Sequence, residues 1–221
     1  MNKAKNLALL AFLLPGTLHS GDGKALDGIM AIHAAVPMGP LSTDTNDQLG
    51  FGFSLAIQQP LTPRTAVRGS FSWTGFRVND RNLWARAIAS IFDQAYEEDQ
   101  MVLRSYAVGA DLVHYREDGG YGTYFIGGGG IQRSRVYLEH RYVDPSGHED
   151  KQPLAGWPAA DTPFVSIGAG YQGRSKAYIE AKLQFWRYRG VEGHALYASP
   201  LNGRSQLRDA VSLTVSFGAR F

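Results

Sequence analysis

Residues 211–221 constrain this chain more than any other stretch. Val211, Leu213, Val215, Phe217, Ala219 and Phe221 share one parity, and Ser212, Thr214, Ser216, Gly218 and Arg220 the other. A period of two with one apolar and one polar side is the mark of a strand whose faces meet different environments. The length matches the roughly 9 to 11 residues that a tilted strand needs to cross a hydrocarbon layer. An edge strand of a soluble β-sandwich alternates in the same way, so the rest of the chain has to decide between the two.

Seven further stretches carry the same signal. Alternation is soft near the start, with Met30 and Ile32 on one parity and Asp27 and His33 on the other, and Pro37 and Pro40 end it. It is clear where Leu49, Phe51, Phe53, Leu55 and Ile57 alternate with glycine, serine, alanine and glutamine. Val67, Phe71 and Trp73 then face away from Arg68, Ser70 and Ser72, and Tyr106, Val108 and Leu112 away from Ser105 and Asp111. The strand over residues 123–138 contains four consecutive glycines, but Gln132 and Ser134 point its even positions inward. Val165, Ile167 and Tyr171 oppose Ser166, Gly168 and Gly170, and Ile179, Leu183 and Phe185 oppose Glu180, Lys182 and Gln184.

The eight strands are joined by two kinds of connection. Those near Pro60, Gly119 and Gly173 are short, as proline and glycine turn chemistry requires, whereas those near Asp44, Ala89, Gly147 and Gly193 are longer. Residues 44–47 read as a polar loop, and residues 142–163 and 190–204 as long loops. Residues 76–100 break the β pattern, and a short amphipathic helix is expected at 83–96, with Trp84, Ile88, Ile91, Phe92 and Ala95 on one face. Short turns on one side and long loops on the other are the arrangement of an antiparallel barrel in the outer membrane, with periplasmic turns and extracellular loops. A sandwich has no reason to sort its connections. The expected fold is therefore all-β, an eight-stranded up-and-down transmembrane barrel with its short helix in the second extracellular loop.

The start of the chain agrees. Lys3 and Lys5 precede an apolar run over residues 7–14, broken by Pro15 and Gly16 and followed by small residues. This predicts a signal peptide over residues 1–20 and a barrel domain over 21–221. Removing the leader takes Lys3 and Lys5 and brings the formal charge from +2 to zero, which with no basic cluster argues against a nucleic-acid partner. The absence of cysteine removes disulfides, thiolate nucleophiles and cysteine metal sites.

The leader, the strand Gly50-Phe-Gly-Phe-Ser-Leu55, the glycine-rich strand over 124–131 and the ending Val215-Ser-Phe-Gly-Ala-Arg-Phe221 together resemble the small eight-stranded outer-membrane barrels, the OmpA/OmpX-like and opacity-protein group. The resemblance covers essentially the whole mature chain, but it is one of pattern. It implies localisation in the bacterial outer membrane, contact with its lipids and lipopolysaccharide, and a monomer. It further implies that Phe217, Gly218 and Phe221 resemble the terminal signal read by the barrel-assembly machinery.

Four groups of residues are candidates for function. Arg68, Asp111, Glu180 and Lys182 fall on inward parities, and charges inside a narrow barrel must pair; an ion-paired network that plugs the lumen is expected, with a small porin-like channel gated by that network as the alternative. Trp84, Tyr142, Trp157 and Tyr197 lie in or near long loops and are candidate recognition anchors. Gly168, Gly170 and Gly173 spell a dinucleotide-binding pattern, but a strand follows where that motif requires a helix. A lipid A-modifying enzyme is the third reading. None of the histidines precedes a serine by two positions as a deacylase-like pair would, although His140, His148 and His194 lie in loops with Ser146 and Ser199. His140 and His148 with Glu139, Asp144, Glu149 and Asp150 make a weak cation-site pattern, for which a solvated polar loop is the default. The expectation is a non-enzymatic barrel without cofactor or metal, with a structural or surface-interaction role carried by its loops.

Overall fold

A computed structural model describes residues 26–45, 48–78, 96–144, 146, 148–156, 158–191 and 205–221. The strands are β1 (Asp27–Met38), β2 (Gly50–Pro60), β3 (Thr65–Val78), β4 (Tyr96–Tyr115), β5 (Gly122–Val143), β6 (Glu149–Gly156), β7 (Ala160–Gln172), β8 (Ala177–Val191) and β9 (Ser205–Arg220), with one helix, α1 (Pro40–Thr45). β6 and β7 lie end to end along one edge of β5, the first beside its outer end and the second beside the rest. The join falls between Ser134, which pairs with the start of β7, and Tyr137, which pairs with the end of β6; a register shift between Leu138 and Glu139 interrupts the β5–β6 ladder beyond it. The wall therefore has eight positions. Each strand pairs antiparallel with its neighbours, and β9 returns to β1 through Met30↔Ala219, Ile32↔Phe217 and Ala34↔Val215. Phe221 completes the closure, exchanging two backbone hydrogen bonds with Gly28 at 2.9 Å. The circuit β1-β2-β3-β4-β5-β7-β8-β9 has no open edge, which is how a barrel removes the unpaired strands of an open sheet.

Parity separates inside from outside on every wall strand. Ile32, Phe51, Phe125, Val165, Ile167 and Phe217 are exposed on the outer surface, Ile32 to 70%. A continuous exposed apolar belt of this extent has no place in water and matches a barrel's lipid-facing band. Among the described residues, no helix is long and apolar enough to cross a membrane; the strands make the crossing.

Four connections differ from the expectations. The segment read as a polar loop contains α1, in which Thr45 Oγ1 donates back to the Leu41 carbonyl at 2.8 Å and Leu41 is fully buried. The β pattern does not break at residue 76: β3 continues to Val78, and β4 already begins at Tyr96. Residues 142–163 are mostly ladder, because β5 and β6 form a hairpin above the wall and β7 starts at Ala160. Likewise β8 runs to Val191. These outer extensions alternate poorly in sequence, with ionisable residues running together at 97–99 and 139–141, so a search by parity misses them. The helix expected at 83–96 lies outside the described residues, apart from Tyr96, the first residue of β4.

Candidate functional site: the closed lumen

An eight-stranded barrel encloses a bore that side chains can fill. Arg68 on β3 and Glu180 on β8 lie four wall positions apart, across the full bore, and Arg68 Nη1 donates to Glu180 Oε2 at 2.6 Å. Both side chains are more than nine-tenths buried. Lys182, one inward position along β8, donates to Asp111 Oδ2 on β4 at 2.8 Å and lies 3.9 Å from Glu180 Oε1. The four inward charges proposed from parity thus meet as one alternating cluster. A buried ion is tolerable only when its remaining donors and acceptors are also satisfied, and neutral neighbours supply that here. Tyr124 donates its hydroxyl to Glu180 Oε2 at 2.8 Å, Arg68 Nε donates to Gln58 Oε1 at 3.1 Å, and Gln58 Nε2 donates to the Tyr115 hydroxyl at 3.0 Å. Ser166 donates to Asp111 Oδ1 at 3.3 Å. The guanidinium also lies 5.6 Å and 5.8 Å from the ring centres of Tyr124 and Tyr178, where the ring faces favour a cation.

Inward glycines make room for this cluster. A Cβ at Gly170 would fall 2.4 Å from the Tyr124 ring, and one at Gly128 would fall 2.5 Å from Asp111 Oδ1. Gly168 and Gly170 lie on β7 and Gly173 in the turn that follows, so the glycine pattern is a feature of close packing in the bore. The sequence offered this reading only through the strand that follows the motif.

The bore is closed above and below the charges. Toward the turn end, Ala66, Val113, Tyr115, Tyr124 and Ile126 pack together. Toward the loop end, Leu41 of α1 joins Phe76, Leu103, Val136, Trp186 and Tyr188 in a larger apolar cluster. Trp186 and Tyr188 are 5.6 Å apart between ring centres. Sequence reasoning missed this second closure. Its signal was the replacement of small inward residues by Phe76, Trp186 and Tyr188 near the outer ends of β3 and β8. Between the closures a polar cavity of about 70 Å³ is lined by the charged residues, His33 and several serines and threonines. His33 Nε2 shares a 2.8 Å hydrogen bond with Thr74 Oγ1. A second cavity of about 20 Å³ beside Phe76 and Trp186 is lined by Ser105 and Gln132, and Gln184 donates to Gln132 across this level.

Among the described residues, the other candidates do not assemble into a reaction centre. Tyr142 is exposed on β5, and Trp84, Trp157 and Tyr197 lie outside the described residues. Ser146 donates its hydroxyl to Asp144 at 2.6 Å, and the His148 amide donates to the same oxygen at 2.8 Å. These bonds, the serine's first, hold the Asp144 carboxyl below its ordinary range. The serine is thus engaged in a turn and not activated by an imidazole. His194 and Ser199 lie outside the described residues. Among the described residues, no group of three or more His, Cys, Asp or Glu side chains could hold a metal ion. At the terminus, Phe217 and Phe221 are exposed outward, while Gly218 faces inward where a Cβ would meet the Tyr178 ring.

The closed ladder, apolar exterior and filled polar bore define an eight-stranded membrane-spanning β-barrel, the architecture of the OmpA/OmpX-like group that the sequence pattern resembles. No protein-family model and no curated protein sequence matches the chain. Among solved structures, the chain is similar to Ail, the attachment invasion locus protein of Yersinia pestis, at 14% identity over 90% of this chain and 99% of that one, with a TM-score of 0.49. It is also similar to the N-terminal β-barrel domain of Pseudomonas aeruginosa OprF (10% identity, 88% and 97% coverage, TM-score 0.44) and to Neisserial surface protein A (11%, 88% and 95%, 0.40). The architecture rests on the hydrogen-bonded circuit itself and not on these likenesses.

Proposed function

We propose that this chain is a non-enzymatic outer-membrane barrel that serves as a sealed anchor, holding its longer connections at the cell surface for structural or recognition roles. The observation that carries the reading is the Arg68–Glu180 bridge, which ties opposite walls together across a bore also packed at both ends. A conduit has to keep a continuous wet path; a plugged bore makes a rigid post whose loops are free to vary. On this reading residues 1–20 direct export and are removed, residues 21–221 form the barrel, and Phe217, Gly218 and Phe221 engage the barrel-assembly machinery before closure. The folded chain is a monomer, because its wall has no edge to share.

Cell fractionation with gel mobility before and after heating tests the anchor, with an epitope placed in residues 79–95 and probed on intact cells. The expected result is an outer-membrane protein with heat-modifiable mobility and a surface-accessible epitope. A chain recovered only from soluble periplasm would overturn the reading. Mass spectra of lipid A from cells with and without the chain should be identical; a change in acylation would overturn its non-enzymatic part.

A further inference from the structure

The turn between β4 and β5 does not stop at the wall. Its Gly120 carbonyl accepts a hydrogen bond from Arg220 Nη1 at 3.1 Å, yet Arg220 stands on β9, four wall positions from β4 and three from β5. Residues 116–121 therefore lie across the mouth of the bore, outside the apolar cluster around Val113 and Tyr115. Gly119 and Gly120 have φ values of +88° and +73°, a left-handed backbone that glycine adopts without strain, so the turn has little stiffness of its own. Two ties hold it to the β2–β3 turn: the Gly119 amide donates to the Pro63 carbonyl at 3.0 Å, and Arg64 pairs with Asp118. The second pair is mostly exposed and contributes little. Arg220 is held differently. Its Nη2 lies 2.9 Å from Asp27 Oδ2 on β1, with both side chains mostly buried, and its backbone amide donates to the Lys176 carbonyl in the β7–β8 turn at 2.9 Å.

We propose that residues 116–121 are a lid over the turn-side mouth, and that Arg220 is the latch that locks it once β9 has docked on β1. A guanidinium suits the task because its planar fork serves two acceptors in fixed directions. Asp27 holds one arm, which aims the other at the Gly120 carbonyl. Arg220 is also placed late. It pairs with Ile29 at the turn-side end of the β1–β9 ladder, so it reaches Asp27 and Gly120 only when that seam is paired to its end. Covering of the mouth is thereby coupled to completion of the circuit: a half-paired barrel keeps its lid loose, and a finished one is sealed. The inference depends on the closed circuit and not on the role of the loops.

Amide exchange followed by NMR on the full chain in dodecylphosphocholine micelles tests the latch. In R220A the Gly119 amide is expected to lose at least about tenfold of its protection, while the β1 amides of residues 30–36 keep theirs. R64Q, which breaks only the exposed pair, should leave Gly119 within about twofold of the unmodified chain. D27N should loosen Gly119 as R220A does, although Asp27 does not touch the turn. Unchanged protection of Gly119 in R220A, or equal losses in R220A and R64Q, would overturn the latch, and unchanged protection in D27N would overturn its coupling to β1. Should R220A fail to show heat-modifiable mobility, pulse labelling of the unmodified chain during refolding from urea decides. Gly119 should become protected with or after residues 30–36; protection of Gly119 before them would overturn the proposal.

Discussion

The two halves of the bore are closed by different physics. In the half nearer the turns, Arg68, Glu180, Lys182 and Asp111 cross it with charge, supported by Tyr124 and Gln58 and capped by the small apolar cluster around Val113; toward the loop end, Phe76, Trp186, Tyr188 and the fully buried Leu103 close it by packing alone. The ionic half depends on every partner being present, because an ion left alone in a dry bore costs far more than a lost contact. The packed half degrades in proportion to the volume removed. Charge therefore ties together strands that the ladder order already places opposite each other, while the aromatic half adds bulk that tolerates exchange.

Three substitutions separate these halves, from the largest effect to the smallest. Glu180→Ala leaves Arg68 buried without its carboxylate and is expected to cost about 3–5 kcal/mol in urea unfolding followed by tryptophan fluorescence in micelles. Pairing it with Arg68→Met should recover most of that loss; a double variant as unstable as the single one would show that charge is not what distinguishes this half. Gly170→Ala pushes a methyl group against the Tyr124 ring and should cost about 1–3 kcal/mol in the same assay. A neutral result would mean that Tyr124 is not needed where it stands. Trp186→Phe tests the packed half. The Trp186 Nε1 makes no hydrogen bond, so only volume is lost, and the change should stay below about 1.5 kcal/mol. A loss as large as that of Glu180→Ala would erase the distinction between the halves.

The turn at Asp144 gives a smaller, pH-dependent effect. Its carboxyl is held below its ordinary value of 3.8 by the Ser146 hydroxyl and the His148 amide. The sign follows from linkage: the turn is favoured at and above that value and loses support only as pH falls through the lowered range. Protection of the His148 amide, measured against the intrinsic exchange rate at each pH, should therefore hold at mild acidity and fall only below it. Loss of protection already near neutral pH would contradict the arrangement.

The wall was legible in the sequence wherever its two faces differ. Ile32, Phe53, Ile179 and Phe217 alternate with small or polar residues because lipid lies on one side and the bore on the other. The four inward charges could be read from the same parity, since a charge facing inward in a small barrel has few ways to be satisfied. What parity could not convey was distance across the bore. That Arg68 meets Glu180, and Lys182 meets Asp111, depends on strand tilt and register, which no single strand encodes. The outer ends of β3, β4 and β5 and the hairpin with β6 escaped because their sequence lacks a sustained apolar–polar alternation: ionisable residues run together at 97–99 and 139–141 and Pro153 interrupts β6. The aromatic closure was hidden because Phe76, Trp186 and Tyr188 look like any apolar residues until their side of the wall is known.

Single-channel recording in planar bilayers tests the central claim most directly. The unmodified chain is expected to show no steady open level, and Glu180→Ala combined with Lys182→Ala, which removes two of the four cross-lumen charges but leaves the apolar closures above and below them, is expected to stay closed as well. A large, steady, ohmic conductance from the unmodified chain would contradict it.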